Sequence, residues 1–219
     1  MAAPYHYTIK GQNCWLSADR LLFWEEEAAL IVSDLHFGKT GHFRKEGIAV
    51  PQNVYKEDLQ RLVSQIQHFQ PRRLIVVGDM FHSRENKELD WFRRWRDDFP
   101  RLDIVLAMGN HDILHDDWYM NAGVSVCKEV HVHGPFSFTH DIALSPASAE
   151  TDNYCFSGHF HPGVRISGGG RQALRFPCFY FTPNYCVLPA FSRFTGMALV
   201  QPGPADKVFA IVNQTVIPC

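Results

Sequence analysis

Hydrophobic and polar positions divide the chain into two differently patterned halves. Tyr5 to Ile9, Cys14 to Leu16, Leu21 to Trp24 and Ala28 to Ser33 read as short strands, separated by Gly11, Asp19 and a run of glutamates. Pro51 then opens a helix whose apolar stripe is Val54, Leu59, Leu62, Val63, Ile66 and Phe69, spaced three to four residues apart. Leu74 to Val77 and Ile104 to Met108 are apolar runs of the buried-strand type. Between them Lys87 to Phe99 predicts a second helix, with Leu89, Phe92, Trp95 and Phe99 on one face. From about Val124 onward the pattern is short strands broken by Gly, Pro and Asn. Strands alternating with helices, followed by a β-rich half, predict sheets with helices packed outside them.

Length and charge narrow the picture. The 219 residues suit a single domain over 1–219, and 46% apolar residues supply a sizeable core. A formal charge of −2 gives no bulk attraction to nucleic acid or an anionic membrane, so any polyanion site is a local patch. No apolar run has the length of a membrane span and no signal peptide is visible, so the expectation is a cytoplasmic protein. The six cysteines form no CxxC and read as buried thiols in a reducing compartment. Twelve histidines are many for this length, which raises the question of where they lie.

They cluster behind apolar runs. Ala29 to Val32 leads into Ser33-Asp34-Leu35-His36, Leu74 to Val77 into Gly78-Asp79, and Ile104 to Met108 into Gly109-Asn110-His111-Asp112. Phe136 to Thr139 leads into His140-Asp141, and Tyr154 to Ser157 into Gly158-His159-Phe160-His161. Ligands of layered α/β proteins bind beyond the carboxyl ends of strands, so five such endings point to one shared site. Singly, Gly78-Asp79 is a common turn and His140 an ordinary histidine; the ordered set is what carries the reading. Oxygen and imidazole donors without thiolate suit Mn, Fe, Zn or Ni. Seven ligand candidates exceed the needs of one ion, so two ions sharing a carboxylate is the economical arrangement. Locally extended backbone is expected to project Asp34 with His36, and His159 with His161, to a common side. Gly78, Gly109 and Gly158 are expected to supply sharp turns.

The ordered motifs D-x-H, G-D, G-N-H-[DE], H and G-H-x-H resemble those of calcineurin-like metallophosphoesterases. Further segments are similar to the subfamily encoded beside a bacterial DNA ligase, described as a DNA damage response endonuclease or phosphodiesterase. They are Ser33 to Lys39, Gly47 to Pro51, Gly78 to Ser83, Phe176 to Phe179 and Leu188 to Phe191. The resemblance runs from about Tyr5 to Val212. It implies an α+β fold, an αββα four-layer sandwich of two packed mixed β-sheets with helices on the outer faces. It also implies two divalent metal ions, manganese foremost. Asp34, His36 and His161 would hold the first, Asn110, His140 and His159 the second, and Asp79 would bridge. His131 and His133 compete with His140 for the single-histidine element, but His140 directly ends a strand whereas His133 precedes the turn Gly134-Pro135.

The implied chemistry is phosphodiester hydrolysis by a metal-bridging hydroxide without a covalent enzyme intermediate. His111 would act as a general acid or phosphate donor, with Asp112 orienting it. DNA is the implied substrate and ligase-associated repair proteins the implied partners, while the sequence leaves the oligomeric state open. Lys39, Arg44, Lys45, Arg84 and Lys87 lie near the motifs and are placed to meet DNA phosphates, and His42 and His82 to line the cleft. Arg93, Arg94 and Arg96 interleave with aromatics, but Phe92, Trp95 and Phe99 read better as the core stripe of a helix. Gly168 to Gly170 reads as a hairpin loop. Two alternatives stand beside the nuclease: a phosphodiesterase or pyrophosphatase for nucleotides or lipid-linked nucleotides, and a weakly active accessory subunit of a repair assembly.

Overall fold

The computed structural model describes residues 2–39, 53–82, 87–144, 152–168 and 173–219. Arg44, Lys45, Arg84, His42, Gly169, Gly170, the segment Gly47 to Pro51 and the side chain of Lys87 lie outside the described residues.

The first sheet has seven strands in sequence order: β1 (Tyr5–Ile9), β2 (Gln12–Ser17), β3 (Leu21–Trp24), β4 (Ala29–Val32), β5 (Arg73–Val77), β6 (Asp103–Ala107) and β7 (Val124–Cys127). Strands β1 to β4 form an antiparallel meander. It starts with the hairpin Lys10-Gly11, whose two positive φ angles match the twist of the strands it joins. From β4 to β7 the pairing is parallel, and helices make the crossovers. These are α1 (Asn53–Phe69), α2 (Lys87–Asp98) and the short α3 (Asp116–Asn121).

The second sheet runs β14 (Ala198–Leu199), β11 (Pro162–Ser167), β12 (Ala173–Phe181), β13 (Tyr185–Val187), β10 (Tyr154–Ser157), β9 (Phe136–Thr139), β8 (His131–His133). The hairpin β15 (Lys207–Val212) and β16 (Thr215–Pro218) joins it through β12.

Alternation assigns each side chain of the parallel strands to one of two cores. Leu30, Val32, Leu74, Val76, Ile104 and Leu106 face the helices, against Leu62, Ile66, Phe92, Trp95 and Tyr119. Ala29, Ile31, Ile75, Val77 and Ala107 face the second sheet, against Phe136, Phe138, Phe156, Phe179 and Phe209. Burial on both faces is why these strands read as unbroken apolar runs. Each fully buried phenylalanine contributes roughly 1.5–3 kcal/mol relative to an exposed one.

The expected mixed two-sheet sandwich with helices outside is the observed architecture, with its helical cover on the first sheet. Among the described residues the second sheet is accompanied only by the 3₁₀ turn Ile142–Leu144. Phe92 and Trp95 are buried in the core as expected, and Arg93 and Arg94 are exposed. Cys14, Cys155, Cys178 and Cys186 are buried; Cys127 is half-buried and Cys219 exposed, against the expectation of uniform burial. Cys219 follows the outer strand β16, and Cys127 ends the edge strand β7. No helix among the described residues is long and apolar enough to cross a membrane.

Candidate metal centre

The carboxyl ends of β4, β5 and β6 lie level, with Val32 beside Val76 and Val77 beside Ala107. Thr139 and Ser157 pair at the ends of β9 and β10 in the facing sheet. All five motif segments leave from these ends, so one cleft receives Asp34, His36, Asp79, Asn110, His111, His140, His159 and His161.

Two groups of donors form. In the first, His161 Nε2 is 3.1 Å from Asp34 Oδ1, and His36 Nε2 is 3.9 Å from the same oxygen. In the second, His140 Nε2 lies 3.1 Å from both Asn110 Oδ1 and His159 Nδ1, and 3.4 Å from Asp79 Oδ2. Asp79 Oδ2 is also 3.9 Å from His36 Nδ1, so this carboxylate stands between the groups. Asp34 also reaches both, having donor atoms within 4.8 Å of His36 and His161 on one side and of Asp79 and His140 on the other. His140, rather than His131 or His133, is the histidine at the cleft. His133 is instead bonded to Glu27 at 2.9 Å on the far side of the strand ends.

The backbone achieves convergence differently from the extended conformation expected. Asp34, His36, Asp79, His159 and His161 all have positive φ, between 49° and 63°. L-residues occupy this left-handed region at a cost, here concentrated on candidate ligands. Hydrogen bonds from Asp34 N–H to the Gly78 carbonyl (3.1 Å) and from His36 N–H to the Asp79 carbonyl (2.8 Å) lock the first two loops together.

Of the three glycines, only Gly78 has positive φ. Gly109 and Gly158 are needed for close approach rather than for turning. A Cβ on Gly109 would lie 2.3 Å from Asp79 Oδ1, and one on Gly158 would lie 2.7 Å from Asp34 Oδ2.

The electrostatics suit cations. Both ring nitrogens of His36 are buried and make no hydrogen bond. Burial, with Lys39 close by, pushes this imidazole down to about 2, which keeps it neutral and able to donate a lone pair. Asp79 is held down at about 2 although burial opposes this, because His140 pairs with it. His140 is correspondingly raised to about 9 against its own burial. Burial also lowers Lys39, against the pull of Asp34 and Asp79. Buried carboxylates beside a neutral imidazole whose two nitrogens are unsatisfied fit a divalent cation better than they fit a dry core.

Two placements depart from expectation. Asp112 does not bond the His111 ring; its oxygens accept the N–H groups of Phe81 (3.0 Å) and Gly109 (2.9 Å). It is a brace between two ligand loops, and burial raises its carboxyl to about 7 despite those bonds. His111 is positioned instead by its own N–H, which donates to Asp79 Oδ1 at 2.9 Å, and by the ring of His82, 4.3 Å away between centroids. His82, which the sequence suggested for the cleft wall, lies in the cleft, and its ring also meets His36 at 5.4 Å.

Residues 29–159 match the profile of the calcineurin-like phosphoesterases, and the chain belongs to that family. It is therefore a metal-dependent phosphoesterase, of a family that works with a dinuclear metal centre. Its structure is similar to the crystal structure of the Pseudomonas putida nuclease MPE, at 30% identity and a TM-score of 0.82, covering 99% of this chain and 100% of that one. Yfce, a phosphoesterase from E. coli, is 14% identical with a TM-score of 0.46, over 86% of this chain and 96% of that one. No curated protein sequence matches the chain.

Proposed function

We propose that this phosphoesterase hydrolyses phosphodiester bonds in DNA, using two divalent cations, manganese foremost. The observation that carries this reading is the full-length likeness, at 30% identity, to a nuclease. A cavity of about 780 Å³ beside Asn110, His140 and His159 leaves room for substrate beyond the phosphate itself.

In this reading Asp34, His36 and His161 hold one cation, Asn110, His140 and His159 the other, and Asp79 serves both. Bound there, the cations supply Lewis acidity, which activates water and neutralises charge on the phosphate. The protein's own part is placement. Left-handed loops present the donors, Asp112 ties the loop of Gly109 to that of Phe81, and burial keeps His36 neutral. The His111 side chain is 42% exposed, with Nε2 4.0 Å from Asp79 Oδ2, so it faces an incoming phosphate. From Nε2 it donates a hydrogen bond to a phosphate oxygen or a proton to the departing oxygen.

The test is the manganese-loaded protein on circular single-stranded DNA and on nucleotide diesters. Efficient DNA cleavage supports the reading. Preference for the small diester by orders of magnitude would favour a small-molecule phosphodiesterase, and metal binding without turnover an accessory subunit.

A further inference from the structure

The cavity beside Asn110, His140 and His159 has walls that the phosphate chemistry leaves without a role. They come from the segment after β7, Lys128 to Val130, and from the ends of β6 and β9, Met108, Thr139 and Asp141. At about 780 Å³ it is far larger than a phosphate group needs and lies within the ordinary range of ligand pockets, ~300–1,000 Å³. Its lining is also the wrong charge for further phosphates. Lys128 is tied to Asp116 at 2.6 Å, while Glu129 and Asp141 bring carboxylates. Met108 and Val130 offer apolar surface, and Glu129 is exposed.

We infer that this cavity seats the nucleoside next to the scissile phosphate and favours bases bearing an exocyclic amino group. The inference rests on the nuclease reading above. A base lies against Met108 and Val130, a thioether and an aliphatic group that suit a flat ring. The Glu129 carboxylate accepts from the amino group of cytosine, adenine or guanine, and thymine presents a carbonyl there instead. Carboxylates flanking a phosphate-cleaving centre would only repel a bare sugar-phosphate chain, whereas they have a use against a base.

The test uses the full chain without metal and fluorescently labelled single strands of about 12 nucleotides, within the usual footprint of single-strand sites. The strands are oligodeoxycytidylate, oligothymidylate and an abasic strand, with affinity read by anisotropy. The wild type is expected to bind deoxycytidylate roughly five- to tenfold more tightly than thymidylate, and the abasic strand most weakly. Glu129→Ala removes repulsion toward all three equally, so the ratio is the readout, and it is expected to fall to about one. Val130→Trp, which fills the cavity, is expected to weaken deoxycytidylate about tenfold and leave the abasic strand unchanged.

Equal binding of all three strands by the wild type, or a ratio unmoved by Glu129→Ala, overturns the subsite. DNA cleavage by the manganese-loaded wild type alongside equal binding would overturn the subsite alone. Neither cleavage nor binding of any strand would overturn the nuclease reading and the subsite with it.

Discussion

Gly109→Ala is a sharp probe of how the cleft is built. Gly109 has no positive φ, so alanine there meets no conformational penalty, and its effect comes from space alone. The new Cβ would lie 2.3 Å from Asp79 Oδ1 and 2.4 Å from Asp79 N, against an ordinary contact of at least 3.4 Å. Either the Gly109 loop or the Asp79 loop must therefore retreat by about 1 Å. Overpacking of this kind costs about 1–3 kcal/mol. For a chain of this length, at ~2–4 °C per kcal/mol, the midpoint of thermal unfolding should fall by between about 2 and 12 °C. A 1 Å displacement of a group at the reaction centre costs about 100-fold in rate, a far larger effect on activity than on folding.

The assay is turnover of an activated phosphodiester with manganese, beside calorimetry with and without the ion. The rise in midpoint that manganese produces should shrink in the variant, because the displaced carboxylate binds more weakly. Gly168→Ala is the control, since a Cβ there meets nothing within 4 Å. Turnover and midpoint in Gly109→Ala matching those of Gly168→Ala would refute the reasoning.

Other perturbations have equally definite outcomes. Asp79→Asn should lower manganese stoichiometry, measured by elemental analysis, together with turnover, whereas His111→Ala should lower turnover and leave stoichiometry intact. Arg61 is buried, bonds Asp58 Oδ1 at 3.0 Å and the Phe191 carbonyl, and stacks 4.0 Å over the Phe191 ring. Arg61→Met takes the paired cation from Asp58 and leaves it the Arg193 N–H, at a cost of up to ~3–5 kcal/mol in urea titrations. Stability should also decline in alkali, because burial, with Glu26 adding for Cys14 and Cys219 for Cys178, raises both thiols from 9.0 to about 12. A raised thiol pKa means the folded state holds its proton more tightly. That contribution is complete below pH 9.0 and is lost as pH climbs to about 12, at up to ~1.4 kcal/mol per unit for each thiol. Cys14→Ala should flatten the slope of urea midpoints over that window, and an unchanged slope would rule the thiol out as its source.

What the sequence disclosed and withheld follows from the range of the interactions involved. The parallel strands were legible because burial on two faces writes an unbroken apolar run. The eight side chains at the cleft were legible because each follows such a run directly. His140 could be separated from His131 and His133 by the same rule. The role of Asp112 could not be read, because its carboxylate bonds the N–H of Phe81, distant along the chain, rather than its neighbour His111. Gly109 and Gly158 announced a turn, but what they accommodate are carboxylates from other strands. The ring contact of His82 with His111 and the cavity wall at Lys128 to Val130 likewise depend on contacts between segments that share no local pattern. Left-handed backbone is uncommon outside glycine, even at aspartate and histidine, so it was expected at none of these positions.

That left-handed backbone also bears on how the protein meets its ions. Five contorted donors, at ~1–2 kcal/mol each, amount to a sizeable part of the net stability of an ordinary domain. The surrounding hydrogen bonds and packing hold them so, which turns the donors inward toward one another. The fold is less durable for it than the same packing with relaxed loops would be. Glycine in those five places would relax the chain and strip it of five of the seven side chains that grip the ions.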